Sequence, residues 1–368
     1  GIVADHVPAD SDRESNAGGD SKQNDKSVEE TARAEDSTGK AVSKGRPSAE
    51  HNLITHFPKD PNCDICNQCK IQHQQCRKKT HGEPDDLPKP TKFADSITAD
   101  HQILNEEQAS RKGHRVSLII LDRYTHWLQG YAAKQKTADE TKRDFQRFLG
   151  PQVQPEHVFT DGSPEFKKAL GDLGFSKDTS RPYRPQTNGV AERAGRKVKE
   201  GTSCLLLQSG FNAGWWPEAM TCFCFLRNAT EKLRDGFTPY ENRFHMKFKG
   251  PIIPFGAEIT YLPSAPKDEE RREKYGAKTH SGIFVGYDQQ AGGSRSGDVL
   301  VADWDDLESA ENAASITLKR VGAKEVVCNK PFRFPLAEGV CKQPETRTSE
   351  KHKARNRARK SRVWDDPP

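Results

Sequence analysis

Apolar residues in the middle of the chain fall into short runs separated by turn residues. Such runs predict three strands in quick succession, at 93–104, 116–121 and 126–133. Their close spacing favours an antiparallel meander. A fourth short strand is predicted at 157–161 and a fifth at 178–180.

Helical signals lie between and after these strands. Thr137 and Glu140 have the spacing of a capping box, and Gly150 is a stop signal, so a helix is predicted between them. Another helix is predicted over Pro164–Leu173, with proline in its first turn. The residues between the last strand and the next helix, 181–189, are rich in turn formers.

Two longer helices are predicted at 190–208 and 216–228. In the first, apolar residues recur at helical spacing as one stripe, formed by Val190, Ala194, Val198 and Leu205. The resulting order, β-β-β-α-β-α-β-α-α, predicts an α/β fold with a mixed five-stranded sheet and flanking helices. Beyond residue 255 the pattern turns β-like, with strand candidates at 282–287 and 299–304.

Composition divides the chain into five predicted segments. Residues 1–48 are rich in Asp, Glu, Ser, Lys and Gly and poor in large apolar residues, which predicts disorder. The other segments are a His/Cys segment at 49–82, the α/β core at 85–250, a small β-rich domain at 251–335 and a disordered basic tail at 336–368.

Charge and cysteine content narrow the class of protein. The formal net charge of +5 suits a nucleic-acid partner without requiring one. Residues 351–362 carry seven Lys/Arg, which is typical of a nuclear localisation signal, a DNA tether or a solvated tail.

We expect a nuclear or cytoplasmic protein with no membrane partner, because no apolar run approaches 18 residues and no signal-peptide pattern is visible. In that setting the nine cysteines favour metal binding over disulfides.

Three acids fall where strand ends and a helix start could meet. Asp100 lies late in the first predicted strand, Asp161 ends the fourth, and Glu192 lies in the first turn of the long helix. Each pair at about 4 Å would repel by about 4 kcal/mol at an effective dielectric constant of 20, so such a cluster requires a cation. Carboxylates select Mg²⁺ or Mn²⁺, and two such ions would serve phosphoryl transfer. Asp122 competes with Asp100 for this role, and Glu165 competes with Glu192.

Two runs around these acids, TDGSPEF at 160–166 and RPYRPQTNGVAER at 181–193, resemble the integrase core of copia-type LTR retrotransposons, in the retroviral integrase superfamily. Shorter runs extend the resemblance over about 51–330: WPEA at 216–219, TPY at 238–240, PFG at 254–256 and GIFVGY at 282–287. The resemblance implies an RNase H-like fold and a polynucleotidyl transferase that uses Mg²⁺ or Mn²⁺ for DNA 3′-end processing and strand transfer. It implies Asp100, Asp161 and Glu192 as the catalytic acids. It also implies retroelement cDNA ends and target DNA as partners, and a homo-oligomer.

Four residues before this core have the ligand types and the C-x-x-C spacing of a zinc site: His51, His56, Cys63 and Cys66. They are similar in type and place to the His-His-Cys-Cys module that precedes the core in integrases. The short gap between the second His and the first Cys favours a reduced zinc knuckle over a helical bundle. Alternative ligands are Cys69, His73 and Cys76.

Six polar residues around Glu192 are predicted to contact DNA: Gln186, Asn188, Arg193, Arg196, Lys197 and Lys199. The four cations follow Glu192 on one helix, where they could engage phosphates or simply form a solvated face. The two amides lie in the preceding loop, where they could contact sugars or base edges.

The sequence leaves three hypotheses. The first is an integrase, which the intact acid triad favours. The second is an inactive, domesticated or decayed DNA-binding protein of integrase descent, which Gly162 after the second acid and the compact His/Cys motif favour mildly. The third is a structure-specific nuclease of RNase H type, which the run ending in Glu192 and the β-rich segment disfavour.

Overall fold

The computed structural model describes residues 51–71, 89–179 and 189–344. The predicted disordered stretch at 1–48 lies outside the described residues, as does the basic run at 351–362. Four predicted site residues also lie outside them: His73, Cys76, Gln186 and Asn188.

The first five strands form one mixed sheet in the order β3-β2-β1-β4-β5. They are β1 (Ser96–Ile103), β2 (Val116–Asp122), β3 (Leu128–Ala133), β4 (His157–Thr160) and β5 (Lys177–Thr179). The first three strands pair antiparallel, as the predicted meander requires, and β1 pairs parallel with β4. This strand order is that of the RNase H-like fold, so the predicted fold class is confirmed.

Helices cover both faces of this sheet. They are α2 (Ala138–Leu149), α3 (Pro164–Leu173), α4 (Gly189–Ser209) and α5 (Trp216–Thr230), and the short α1 (Asp64–Cys69) precedes the sheet. Among the helices of the described residues, none combines the length and apolar character that a membrane crossing requires.

The two faces of the sheet are distinguished by alternate residues of β1. His101 lies 3.2 Å from the Thr141 hydroxyl of α2, and its ring centroid lies 4.3 Å from that of Phe166 in α3. Gln102 points the other way: a Cβ added at Gly195 of α4 would lie 2.6 Å from its Nε2. Odd-numbered positions of β1 therefore face α2 and α3, and even-numbered positions face α4.

Local sequence signals explain where α2 begins and ends. The Thr137 hydroxyl accepts a hydrogen bond from the Glu140 amide, as a capping box requires. The Glu140 carboxylate instead accepts from the Gln135 amide, so half of the predicted box forms. The helix ends at Gly150, whose φ of 87° favours glycine.

A second sheet of five strands follows, antiparallel throughout, in the order β10-β6-β7-β8-β9. Its strands are β6 (Glu258–Tyr261), β7 (His280–Gln289), β8 (Arg295–Asp303), β9 (Lys319–Gly322) and β10 (Val326–Val327). Short helices accompany it: α6 (Pro239–Phe244), α7 (Pro266–Glu269) and α8 (Trp304–Ser309), with 3₁₀ turns at Glu106–Gln108, Ala213–Trp215, Ala313–Ser315 and Ala323–Glu325.

Helix α5 joins the two sheets into one hydrophobic core, since it packs on both β3 and β7. The chain also stays packed beyond residue 336, so the prediction of disorder from 336 is wrong for residues 336–344. Cys341 is buried, and the Gln343 side chain donates a hydrogen bond to the Gly210 carbonyl. These contacts hold the chain against the core to residue 344.

The crossing of α4 and α5 depends on Gly201. A Cβ at this position would lie 2.1 Å from the fully buried ring of Phe223. We expect Gly201→Ala to lower the free energy of unfolding by about 1–3 kcal/mol, because the ring has to move within a filled core. Urea denaturation measures this change. In Gly171→Ala the added carbon meets no described atom within 4 Å, so that helix substitution should be neutral or stabilising. Equal stabilities for the two variants would contradict this packing.

Asp144 of α2 is a buried acid, with 1% of its side chain exposed. Burial raises the pKa of its carboxyl to about 6, although the nearby charges of Arg147 and Arg143 act in the opposite direction. Since the ordinary pKa is 3.8, the folded chain binds this proton more tightly than the unfolded chain does. The stabilisation is fully present below the ordinary pKa and is lost as the pH rises through about 6.

We therefore expect Asp144→Asn to raise the free energy of unfolding at pH 8 by about 2–3 kcal/mol, because Asn resembles the neutral carboxyl. The gain should fall towards zero near about pH 4, which denaturation at both pH values would measure. Asp139→Asn removes an exposed charge from the same helix and should show no such gain. A gain that is equal at the two pH values would contradict the role of ionisation.

Candidate active site and metal-binding cluster

Asp100 and Asp161 come together through the pairing of β1 with β4. These strands are parallel, with Ser96 opposite His157 and Thr98 opposite Phe159. Asp161 directly follows the last residue of β4, and the same register, continued past that end, would set it opposite Asp100. Neighbouring strands lie about 4.8 Å apart and paired residues project to the same face, so both carboxylates project on the α4 side of the sheet.

Glu192 approaches this pair from α4. Its helix packs on β1 and β2, and the close contact is at Gly195, against Gln102. Glu192 precedes Gly195 by three residues, so both lie on the helix face turned towards even-numbered β1 positions, which include Asp100.

The pKa of Asp100 depends on the other two acids. Burial raises the pKa of Asp100 above its ordinary value, and the negative charges of Asp161 and Glu192 raise it further. Lys136 acts in the opposite direction. Asp161 and Glu192 therefore both lie close enough to Asp100 for their charges to act on it.

The three acids are nevertheless spaced more widely than a closed ligand set. Among the described residues, the group of His, Cys, Asp or Glu side chains with all ligand atoms within 4.8 Å of one another is the His/Cys group described below. Mutual repulsion explains the wider spacing, since like charges at short distance cost free energy. A cation between them would remove that cost.

The two competing acids occupy different surroundings. Asp122 is fully buried opposite Ile97, an odd-numbered position, so it faces away from Asp100. Its oxygens accept hydrogen bonds from the Ala94 amide and from the amide and hydroxyl of Thr125. These hydrogen bonds give Asp122 a structural role. Glu165 lies on α3 and forms an ion pair with Lys136 at 3.5 Å.

Lys136 is the site residue that sequence reasoning missed. It lies between β3 and α2, and its charge acts on Asp100, on His101 and on Glu165. It belongs to neither recognised run, so no sequence signal pointed to it.

The four predicted zinc ligands lie together. The ligand atoms of His51, His56, Cys63 and Cys66 are all within 4.8 Å of one another. Cys63 precedes α1 and Cys66 lies in it, so both sulfurs are on one side of the helix. The alternative ligand Cys69 lies outside this group.

A tight turn brings the two imidazoles to the sulfurs. Asn52 pairs with Phe57, and the ring centroids of His51 and His56 lie 5.6 Å apart. The His56 Nδ1 lies 3.5 Å from the Cys63 sulfur and 4.0 Å from the Cys66 sulfur. The cluster lies beside the far end of α4, since Gln208 donates a hydrogen bond to the Leu53 carbonyl.

The chemistry of this group fits a metal ion. The His51 Nδ1 lies 2.7 Å from the Pro58 carbonyl, which fixes its proton there and leaves a lone pair on Nε2. That Nε2 is buried and has no hydrogen-bond partner among the described residues. Burial lowers the pKa of His56 to about 4, so this imidazole is neutral and able to act as a ligand at pH 7. Imidazole nitrogens and cysteine sulfurs, which bind as thiolates, are donors that zinc selects.

The predicted DNA contacts on α4 fall on two faces. Arg196 and Lys199 are exposed and lie four and seven residues after Glu192, on its side of the helix. Arg193 is also exposed but lies on another face, together with Lys197. Lys197 is 23% exposed and pairs with Glu231.

No protein-family model matches the chain. In sequence it is similar to retroviral polyproteins: the Pol polyprotein of Feline endogenous virus ECE1 (26% identity over 163 residues, 43% of this chain and 15% of the polyprotein), the Gag-Pol polyprotein of Woolly monkey sarcoma virus (29% over 142 residues, 37% and 8%) and that of Baboon endogenous virus (27% over 135 residues, 35% and 8%). The chain thus matches a small part of each relative's length.

Among solved structures it is similar to the catalytic core domain of BIV integrase, with 21% identity, 41% of this chain and 95% of that chain covered, and a TM-score of 0.31. Others are a chain of the simian T-cell lymphotropic virus intasome in complex with PP2A regulatory subunit B56 gamma (15%; 73% and 88%; TM-score 0.37) and the HTLV-2 integrase catalytic core domain in complex with magnesium (16%; 42% and 99%; TM-score 0.35). The chain is thus similar in sequence to part of retroviral polyproteins, and its described strands have the order of the RNase H-like fold.

Proposed function

We propose that this chain is an integrase that processes the 3′ ends of retroelement cDNA and joins them to target DNA. The observation that carries the proposal is the meeting of three acids on one face of the sheet. Asp100 lies in β1, Asp161 directly follows the neighbouring strand β4, and the charges of Asp161 and of Glu192 in α4 both act on Asp100. The runs around these acids resemble copia-type elements, so we assign the chain to that lineage within the superfamily.

The donor set of these acids fits Mg²⁺ or Mn²⁺. Three carboxylates offer hard oxygen ligands, and the raised pKa of Asp100 records the negative charge that a divalent cation would balance. Asp100, Asp161 and Glu192 would hold the ions. When bound, such ions activate a water or a 3′-hydroxyl and stabilise the leaving oxygen of the phosphodiester.

The residues of the chain itself would place the DNA. Arg196 and Lys199 are exposed beside Glu192 and would bind phosphates on either side of the reacting one. Gln186 and Asn188 precede α4 in the sequence and would contact the same strand. We further propose that the chain acts as a homo-oligomer in the nucleus, since an element has two ends to join to one target.

We assign Zn²⁺ to His51, His56, Cys63 and Cys66. The bound ion would hold the turn at 51–58 and helix α1 together, and α1 packs on α4. Its role is structural, because all four positions of a tetrahedral site are filled by the protein.

Incubation of the purified chain with a labelled DNA duplex and a supercoiled plasmid tests this function. We expect nicked and joined products in Mg²⁺ or Mn²⁺ and no products in buffer without divalent ions. Binding without nicking or joining under every metal condition would instead support the inactive DNA-binding descendant.

A further inference from the structure

A cavity of about 390 Å³ opens between the start of α4, the turn from β2 to β3 and the end of α5. Its volume falls within the range of small-molecule sites. Four cationic side chains line it: Arg123, Arg193, Lys197 and Arg227. None of the described residues in its lining is acidic.

A carboxylate next to the lining pairs with two of these cations. Glu231 accepts hydrogen bonds from Lys197 at 2.6 Å and from Arg227 at 2.8 Å, so one carboxylate serves two cations. Arg227 is 5% exposed, which holds its charge in place beside the cavity. Burial and the charge of Arg227 lower the pKa of Lys197 to about 8, even though Glu231 acts in the opposite direction. Crowding of like charges at this wall favours an anionic ligand.

The charged side chain of Arg193 lies on the exposed side of the cavity. Its Nε donates to the Gly189 carbonyl one turn earlier, which orients the side chain along the start of α4. A guanidinium offers donors in a planar fork that matches phosphate oxygens.

The rest of the wall is apolar. Leu121, Leu128, Val190 and Ala194 provide this surface beside the cations. A ligand with a phosphate and a flat or apolar body would match both parts of the wall.

The cavity lies on a different face of α4 from the acids. Val190, Arg193, Ala194 and Lys197 follow the spacing i, i+3, i+4 and i+7 and share one helix face. Glu192 is rotated from Val190 by about 200°, so it faces away from the cavity. Whatever binds here does not compete with metal at the acids.

We propose that this cavity binds a nucleotide, with its phosphate on Arg193 and Arg123 and its sugar or base against the apolar wall. The nucleotide is either free or part of a DNA strand. The proposal goes beyond the integrase function, because the cavity and the acids occupy different faces of α4.

Calorimetric titration without divalent metal tests the proposal. The probes are AMP, adenosine, and a ten-residue oligothymidine with and without a 5′-phosphate. We expect Arg193→Ala to weaken binding of a phosphorylated probe at least tenfold. The matched variant Arg196→Ala removes an equally exposed arginine from another face of α4, so it should change AMP affinity less than twofold. Arg123→Gln should weaken binding in the same direction as Arg193→Ala, and adenosine should not bind.

The probes distinguish the two sources of the phosphate. A loss confined to the oligonucleotides, which carry backbone phosphates with or without the 5′-phosphate, assigns the cavity to a DNA strand, and a loss with AMP assigns it to a free nucleotide. Equal losses in Arg193→Ala and Arg196→Ala with AMP, or binding of neither phosphorylated probe, would overturn the proposal. Asp161→Asn should leave this binding unchanged even if the integrase function fails.

Discussion

Asp161→Asn should abolish metal-dependent DNA joining, with a rate at least about a thousandfold below that of the unchanged chain. Such a loss corresponds to about 4 kcal/mol of transition-state stabilisation. Asn keeps the shape of the side chain but removes a charge that acts on Asp100 and would hold a divalent ion beside it. Single-turnover joining assays in Mg²⁺ and Mn²⁺ measure the effect.

The control for this variant is Asp172→Asn, which removes an exposed acid from α3. It should keep full activity. DNA affinity should stay the same or rise in Asp161→Asn, because a negative charge near phosphates is removed. If Asp161→Asn joins DNA as fast as the control, the proposed site is not catalytic.

Cys66→Ser should remove the metal from the His/Cys cluster. We expect the unchanged chain to purify with about one zinc per molecule and the variant with nearly none, because a buried hydroxyl replaces a thiolate in a four-ligand site. Loss of the ion should release residues 51–71 from α4, since metal binding and folding are linked in small sites. Elemental analysis and limited proteolysis measure the two effects.

Cys69→Ser is the matched control for this variant. Cys69 lies three residues further along the same short helix, outside the group of four ligand atoms. It should keep the zinc and the protease resistance. Zinc retained in Cys66→Ser, or lost equally in Cys69→Ser, would show that a different set of residues binds the ion.

Most of the fold follows from short-range patterns in the sequence. The apolar run at 116–121 and the stripe from Val190 to Leu205 predict β2 and α4 because burial follows strand and helix periodicity. The predicted capping box at Thr137 marks the correct helix start, although the Glu140 carboxylate bonds elsewhere. When two backbone amides lie within reach of one carboxylate, the spacing of residues in the sequence does not show which amide it binds.

Short-range patterns in the sequence do not predict contacts between distant segments. The ion pair between Lys136 and Glu165, and the cavity shared by Arg123 and Arg227, depend on how strands and helices assemble. The packing of Cys341 beyond residue 336 has the same origin, because a polar segment holds few apolar anchors and their partners lie far away in the sequence. The nearness of Asp161 to Asp100 depends on the pairing of β1 with β4, which only the structure provides.

The central claim is that three acids, distant in sequence, hold divalent metal together. Crystals of the chain soaked in Mn²⁺ and measured at the manganese absorption edge test it most directly. We expect anomalous peaks bonded to carboxylate oxygens of Asp100, Asp161 and Glu192. Peaks that lie elsewhere, with these three side chains left uncoordinated, would contradict it.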